Sequence, residues 1–183
     1  FTGAGDKKIR LWNIEKQELV NECYGHKNRI LSLAVDKTAT YFATGSSDNT
    51  ARIWNVETQK LSQDIRGYSG SIWSVAFNHT ATYLATGSSD TIARIWDVKT
   101  GKLLHQLAGH THKIWSVEWH PHLNILATGS YDASVRVWNG DTGQLIAMLV
   151  LDATVRSVSW SPDGQQLALG CWDGRVLWVN IRW

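Results

Sequence analysis

The sequence predicts an all-β protein built from a repeated unit of four short antiparallel strands. The first observation is that an Asp and a Trp recur together along the whole chain, as in the stretch 85–96. The aspartates are Asp6, Asp48, Asp90, Asp132 and Asp173, and the tryptophans are Trp12, Trp54, Trp96, Trp138 and Trp178. Spacings of 40 to 42 residues are typical of a repeat array. The second observation is that apolar runs of four to seven residues alternate with Gly, Ser, Asp, Asn, Thr and Pro, a pattern of strands and tight turns without helices.

The strands can be placed within one period, residues 67–108. Strand a is predicted at 71–77, strand b at 82–87, strand c at 92–97 and strand d at 102–107. The same division of the whole chain gives a partial unit at 1–24 (strands b, c and d), complete units at 25–66, 67–108 and 109–150, and a partial unit at 151–183 (strands a, b and c). We therefore expect 18 strands in five complete or partial units.

The strands carry apolar residues on both faces, as in 51–54 and 72–77. Each small sheet must therefore be covered on both sides, and radial stacking of the sheets around an axis achieves this. An arginine also recurs two positions before the tryptophan, at Arg10, Arg52, Arg94 and Arg136. We expect their stems to pack along the sheet and their head groups to reach water.

The composition gives no sign of a polyanion or membrane partner. The 183 residues carry a formal net charge of +2, and the basic residues are spread along the chain. No apolar run is long enough to span a membrane. The chain begins at Phe1 rather than Met, which leaves open a targeting segment upstream. Cys23 and Cys171 lie far apart and have no metal-ligand or disulfide pattern, so we expect an intracellular protein, cytoplasmic or nuclear, without cofactor or metal.

Several short motifs occur at the same period. Gly-His is found at 25–26 and 109–110, Trp-Asp at 96–97, and Trp-Asn at 12–13, 54–55 and 138–139. In these motifs the chain resembles the WD-repeat (WD40) β-propeller family along essentially its whole length. The resemblance implies four-stranded blades around a central channel and a role as a scaffold for protein complexes. Because both ends carry their own strands b and c, we expect a fragment of a seven-bladed ring, which needs about 290 residues.

The resemblance also implies a hydrogen-bonded tetrad in each complete blade. Its members are His26, Thr44, Asp48 and Trp54 in one unit, His110, Thr128, Asp132 and Trp138 in another, and Thr86, Asp90 and Trp96 in the unit between them. A hydroxyl, an imidazole and a carboxylate together also suggest a hydrolase. The group recurs in several blades, however, so a structural network is the better interpretation.

Two units depart from this pattern. Tyr68 stands in the histidine place beside Thr86, and in the last unit Leu169 replaces the hydroxyl, so that Asp173 and Trp178 lose their tetrad partners. We expect these two blades to be softer. His120 and His122 are expected in a solvated turn, far from His110 and His112, and the four do not converge as metal ligands.

The resemblance places partner binding at the channel mouth, where two positions per repeat should point. One position follows the first inward residue of strand a and holds Leu31, Trp73, Trp115 and Arg156. The other precedes the turn aspartate and holds Gly5, Ser47, Ser89, Tyr131 and Trp172. We expect Trp73, Trp115, Tyr131 and Trp172 to form an aromatic arc edged by Arg29, Lys113 and Arg156. Core packing is the alternative role for Trp73 and Trp115.

The function predicted is a non-enzymatic scaffold or substrate-recognition module that binds a peptide or protein on the channel-mouth face, with an acidic or aromatic residue as the expected ligand group. A self-associating fragment with open blade edges is the main alternative. A propeller enzyme needs clustered acidic or histidine residues on one face, and the rim positions supply none. Nucleic-acid binding needs more cations than the rim provides.

Overall fold

The structure is a computed structural model that describes residues 1–181. This part of the chain contains 18 strands and no helix, and the strands form five separate antiparallel sheets. We number the sheets as blades 1 to 5 in chain order. The all-β prediction and the number of strands are confirmed.

The outer blades each have three strands and the inner blades four. Blade 1 contains β1 (Thr2–Gly3), β2 (Ile9–Asn13) and β3 (Glu18–Cys23). Blade 2 contains β4 (Ile30–Val35), β5 (Tyr41–Ser46), β6 (Ala51–Asn55) and β7 (Leu61–Ile65). Blade 3 contains β8 (Ile72–Phe77), β9 (Tyr83–Ser88), β10 (Ala93–Asp97) and β11 (Leu103–Leu107). Blade 4 contains β12 (Ile114–Trp119), β13 (Ile125–Ser130), β14 (Ser134–Asn139) and β15 (Leu145–Val150). Blade 5 contains β16 (Val155–Trp160), β17 (Gln166–Cys171) and β18 (Val176–Asn180).

Each blade is a meander in which every strand pairs with the next one along the chain. The first strands of blades 2 to 5 lie side by side, β4 against β8, β8 against β12 and β12 against β16. These strands therefore form the inner side of an arc, and the last strand of each complete blade forms its outer edge. The five blades do not close a ring. The seven-bladed ring stays a prediction.

The observed strands of blade 3 each begin one residue later than predicted. Turn hydrogen bonds occupy two of the residues placed in strands: the backbone N–H of Thr82 donates to Asn78 Oδ1 over 2.9 Å, and that of Ile92 donates to Asp90 Oδ1 over 3.2 Å. Asn78 and Asp90 thus close the turns before β9 and β10 through their side chains, as such residues commonly do.

Each part of the hydrophobic core lies between two neighbouring blades. The largest group joins Ile53 and Ile65 of blade 2 to Ile72, Leu84 and Trp96 of blade 3. Similar groups join blades 1 and 2, blades 3 and 4, and blades 4 and 5. A blade therefore depends on its neighbours for its core, as the apolar residues on both strand faces predict.

A serine in the inner strand of one blade binds the backbone of the next blade. The hydroxyl oxygens of Ser32, Ser74 and Ser116 accept the backbone N–H groups of Val75, Val117 and Val158 over 3.1, 3.1 and 3.2 Å. The chain also brings a glycine against the next inner strand: a Cβ on Gly87 would lie 2.9 Å from Ile114 Cγ2. The hydrogen bonds to the serines were not predicted from the sequence, although Ser32, Ser74 and Ser116 recur at the repeat period.

Two of the four recurring arginines do not reach water as the sequence suggested. Arg52 and Arg94 are only 5% and 7% exposed. Arg94 Nη1 bonds Asp90, whereas Arg52 Nη1 has no hydrogen-bond partner in the described part of the chain. The prediction of solvated head groups was wrong for these two arginines, because residues of their own repeats surround the head groups: Arg52 Nε lies 3.5 Å from Asp64, and Arg94 bonds Asp90 and lies over the Tyr68 ring.

Candidate functional site

A buried polar network joins the four predicted tetrad residues in blade 2. His26 Nδ1 lies 2.9 Å from Asp48 Oδ2, and His26 Nε2 lies 2.7 Å from Thr44 Oγ1. Trp54 Nε1–H donates to the same Thr44 oxygen over 3.0 Å. A carboxylate only accepts, so the imidazole carries its proton on Nδ1 and accepts at Nε2 from the Thr44 hydroxyl. The bonds run in one direction from indole to hydroxyl to imidazole to carboxylate.

Blade 4 repeats this geometry. His110 lies 2.9 Å from Asp132 and 2.8 Å from Thr128 Oγ1, to which Trp138 donates over 3.0 Å. In both blades the hydroxyl two residues after the aspartate, Thr50 or Ser134, donates to the carboxylate over 2.6 Å. Each hydroxyl in the chain of bonds is thereby tied to structural neighbours, and none is oriented toward solvent as a nucleophile.

The electrostatics of these networks keep the imidazoles neutral and the carboxylates ionised. Burial lowers the pKa of His26 and His110, against the raising effect of the neighbouring aspartates. Burial by itself raises the pKa of Asp132. The hydrogen bonds from Ser134, the Thr111 backbone and His110 outweigh it and lower that pKa to about 2, and Asp48 has the same arrangement with the same result.

Blade 3 has a different network because Tyr68 replaces the histidine. The Tyr68 hydroxyl donates to Thr86 Oγ1 over 2.8 Å, and Trp96 Nε1–H donates to the same Thr86 oxygen over 3.1 Å. Asp90 is bonded by Arg94 Nη1 at 3.0 and 2.9 Å, and the Arg94 guanidinium lies 4.8 Å from the Tyr68 ring centroid. Arg94 thus takes the place of the imidazole at the carboxylate. We expected blade 3 to be soft because its network would be incomplete. The structure corrects that reason, because the network is rearranged rather than incomplete.

Blade 5 lacks the tetrad, as the sequence indicates. Asp173 is exposed and pairs with Arg175, whose Nε lies 2.7 Å from Asp173 Oδ2 and which also bonds Asp152. Trp178 is exposed, without the threonine acceptor that Trp54 has. Asp173 therefore has an arginine partner in place of the histidine and hydroxyl.

The histidines of the β12–β13 turn do not form a metal site. His122 is exposed as predicted, but His120 is buried: its Nδ1 accepts the backbone N–H groups of His122 and Leu123 over 3.1 Å, and its Nε2 lies 3.1 Å from the Gly164 carbonyl oxygen. The predicted solvated turn is thus corrected for His120. Among residues 1–181 no group of three or more His, Cys, Asp or Glu side chains has the geometry to hold a metal ion.

The predicted rim position coincides with a β-bulge in every inner strand. The pairing of β4, β8, β12 and β16 with the next strand shifts by one residue at this point. The extra residues are Leu31, Trp73, Trp115 and Arg156. A bulge leaves one residue outside the ladder and turns its side chain in a new direction, and bulges are common beside functional sites.

The bulge residues of blades 3, 4 and 5 contact one another across the blades. The ring centroids of Trp73 and Trp115 lie 4.4 Å apart at 64°, and the Arg156 guanidinium lies 3.8 Å from the Trp115 ring. Trp172 lies 6.5 Å from Trp115 with nearly parallel planes. We call Trp73, Trp115, Tyr131 and Trp172 the aromatic arc.

Exposure differs along the aromatic arc. Tyr131 and Trp172 are 44% and 66% exposed, whereas Trp115 is 9% exposed and Trp73 is half-buried. Trp115 therefore forms the floor, packed under its neighbours, and Tyr131 and Trp172 present the accessible surface. The buried position of Trp115 agrees in part with the core alternative considered for it.

Lys113 joins the aromatic arc more closely than the sequence suggested. Its ammonium lies 4.4 Å from Trp115, 4.9 Å from Tyr131 and 6.0 Å from Trp73. Of the other two predicted rim residues, Arg29 is exposed and Leu31 is half-buried, and both belong to blade 2, where no aromatic residue occupies the bulge. The structure therefore brings six of the eight predicted partner-binding residues together, in blades 3, 4 and 5.

Two donors within the aromatic arc have no acceptor. The indole N–H groups of Trp73 and Trp115 are buried and make no hydrogen bond in the described part of the chain. A buried donor left unpaired costs roughly 1–3 kcal/mol. The two indole N–H groups at the floor of the aromatic arc therefore lack acceptors.

Comparison with known families follows the same periodicity. The family model described as "WD domain, G-beta repeat" matches residues 17–55, 59–97, 101–139 and 144–178. The chain belongs to the WD-repeat family. The matched segments end at or next to the recurring tryptophan of each unit, and WD repeats generally mediate protein–protein interaction or scaffolding. No curated protein matched the chain closely enough to count as a relative. In residues 1–181 no helix has the length and apolar character needed to cross a membrane.

Proposed function

We propose that this WD-repeat chain is a non-enzymatic recognition module that binds a peptide or protein partner at the aromatic arc. The observation that carries the proposal is the row of bulges in β8, β12 and β16, which brings Trp73, Trp115 and Arg156 into contact across three blades. The inward residues Ile72, Ile114 and Val155 beside them are fully buried in the core, and of the three bulge residues only Trp115 is itself buried.

The composition of the aromatic arc supports binding. Tryptophan, tyrosine and arginine are the residues most enriched in binding hot spots, where aromatic rings give a large contact area with little loss of conformational entropy. Trp172 and Tyr131 are exposed next to a packed floor, an arrangement that gives a ligand both a rigid base and a free aromatic face.

The WD-repeat networks do not favour catalysis. In blades 2 and 4 each threonine hydroxyl is held between an indole donor and an imidazole acceptor.

We also propose that the structural repeats are units 1–24, 25–66, 67–108, 109–150 and 151–183. We propose further that the protein is intracellular, where its two buried cysteines stay reduced. Self-association through blade edges, a propeller enzyme and nucleic-acid binding stay the alternatives.

The test uses two exposed tryptophans, one inside the aromatic arc and one outside it. Trp172 and Trp178 are 66% and 64% exposed, so replacing either by alanine removes a similar exposed ring. Trp115 is less suitable, because its buried ring also contributes packing. Random peptides displayed on phage are selected on the wild-type chain, and the affinities of the selected peptides are measured on both variants.

We expect Trp172→Ala to weaken the selected peptides by about tenfold or more and Trp178→Ala to leave them unchanged. Both variants should unfold at the wild-type denaturant concentration. If Trp172→Ala binds as wild type does, or if Trp178→Ala loses binding equally, the proposed site is wrong.

A further inference from the structure

We infer that the aromatic arc receives an anionic oxygen group of its ligand, a carboxylate or a phosphate on a peptide side chain, held by Lys113 and Arg156. This inference rests on the proposed function and specifies the chemistry of the ligand. It is carried by two cations that lie over one aromatic ring and have no carboxylate partner in the described part of the chain.

The two cations are positioned by Trp115. The Lys113 ammonium and the Arg156 guanidinium lie 4.4 and 3.8 Å from the centroid of its ring. Arg156 also lies 5.9 Å from Trp172, and Lys113 lies within 6.0 Å of Trp73 and Tyr131. Contact with aromatic faces holds both charges in place before any ligand arrives.

Neither cation is neutralised. Among residues 1–181, no carboxylate oxygen lies within 4.0 Å of Lys113 or Arg156, whereas Arg94, Arg175 and Arg10 all have such partners. Asp152, four residues before Arg156, pairs with Arg175, and Asp132, next to Tyr131, is already bonded to His110, Ser134 and the Thr111 backbone. The aromatic arc therefore has positive charge that residues 1–181 leave unpaired.

Stacking leaves the binding capacity of the arginine free. A guanidinium that lies over an indole face uses its π surface, while its N–H groups point outward in the plane and suit a bidentate carboxylate or phosphate. The side chains of Lys113 and Arg156 make no hydrogen bond within residues 1–181, and the indole N–H groups of Trp73 and Trp115 add two more unused donors. The ammonium, the guanidinium and the two indole N–H groups can only donate, so the ligand group that complements them is one that accepts.

A cationic ligand fits this charge pattern poorly. It would approach two like charges that lie within 4.4 Å of the same ring centroid, and like charges placed against each other oppose binding. We therefore assign an acidic residue next to an aromatic one: the acid meets Arg156 and Lys113, and the aromatic ring lies on exposed Trp172.

The experiment uses capped pentapeptides that contain one tryptophan followed by glutamate, phosphoserine, glutamine or lysine. Binding to the full 183-residue chain is followed by NMR through the indole N–H signals, at low and at high salt. We expect the glutamate or phosphoserine peptide, or both, to bind about tenfold more tightly than the glutamine peptide, with the preference reduced at high salt. The two acidic peptides distinguish a carboxylate site from a phosphate site.

Two variants assign the effect to the arc. Arg156→Gln should abolish the preference for acid over glutamine, and Arg156→Glu should reverse it in favour of the lysine peptide, while Lys102→Gln, on the distant β10–β11 turn, should change neither. Equal binding of the glutamate, phosphoserine and glutamine peptides, a preference for lysine, or no binding of any peptide overturns the inference. Binding without acid preference that Trp172→Ala still abolishes would overturn the inference and leave the proposed function standing.

Discussion

The turn after each blade aspartate places one residue in the left-handed region of backbone conformation. The residues are Lys7, Asn49, Thr91, Ala133 and Gly174, with φ between 63° and 88°. Asparagine and glycine adopt this conformation readily, whereas the branched Cβ of threonine crowds the backbone there. Thr91, with φ of 74°, is the most strained choice of the five.

Replacing Thr91 with glycine should therefore stabilise the protein. We expect Thr91→Gly to raise the free energy of unfolding by about 0.5–1 kcal/mol, because the relief of backbone strain exceeds the entropy that glycine loses on folding. Urea denaturation measures the change.

Gly174 provides the reciprocal control. Its φ is 88°, and a Cβ added there would meet no atom within 4 Å, so Gly174→Thr changes the backbone preference without a clash. We expect this variant to lower stability. A loss of stability in Thr91→Gly would show that the threonine side chain contributes more than its strain costs.

Residues of the same type in equivalent positions can still have different partners, and this limits what the sequence predicts. The position of the rim residues followed from counting along strand a, because a bulge recurs at a fixed place in the repeat. The pairing of Arg94 with Asp90 did not follow, although Arg52 and Arg136 occupy equivalent positions. It depends on Tyr68 replacing a histidine and on Ile92 standing where Thr50 and Ser134 supply a hydroxyl.

Within an element, the networks of blades 2 and 4 make stability depend on pH in a defined direction. Burial lowers the pKa of His26 and His110 in the folded state, so the unfolded chain takes up these protons first. Their contribution to stability is complete above about pH 6.5 and is lost as the pH falls below it. Asp48 and Asp132, with pKa lowered to about 2, stabilise above about pH 4, and their contribution is lost as the pH falls toward 2.

We therefore expect the free energy of unfolding to fall in two stages on acidification, from about pH 6.5 and again from about pH 4. Urea denaturation at intervals across this range measures it. The variant His110→Gln should be less stable at neutral pH but should show a smaller loss between about pH 6.5 and 5, because one titrating group is gone. Stability that rises as the pH falls through 6.5 contradicts the neutral assignment of the imidazoles.

The contacts between elements were harder to predict than the elements. Period, turn residues and apolar runs gave the strands to within one residue in blade 3. The hydrogen bonds that join the next inner strand to Ser32, Ser74 and Ser116 cannot be predicted from the sequence of a single blade. Their donors and acceptors lie 42 or 43 residues apart, in two neighbouring blades. A small polar residue that recurs at a strand position flanked by apolar residues is the signal that could have indicated them.

In the whole molecule, different positions of the repeat stabilise the fold and form the candidate binding site, although these positions are close in sequence. The aspartate, its histidine and its tryptophan bind within one blade and hold the strands together. The bulge residue and the residue before the aspartate vary from blade to blade, and only in blades 3 to 5 do they meet as the aromatic arc. The fold is thus predicted by what is constant in the repeat, and the candidate site by what changes.

The most direct test of this separation measures stability and ligand binding on the same two variants. Asp48 lies in blade 2, away from the aromatic arc, and accepts hydrogen bonds from His26, Thr50 and the Lys27 backbone. We expect Asp48→Ala to lower the free energy of unfolding by about 2–4 kcal/mol and to keep its affinity for the selected peptides at a temperature where it stays folded. Trp172→Ala should do the opposite, with stability within about 0.5 kcal/mol of wild type and binding lost. If folded Asp48→Ala loses the peptides, or if Trp172→Ala unfolds as readily as Asp48→Ala, the two tasks are not separate and the account is contradicted.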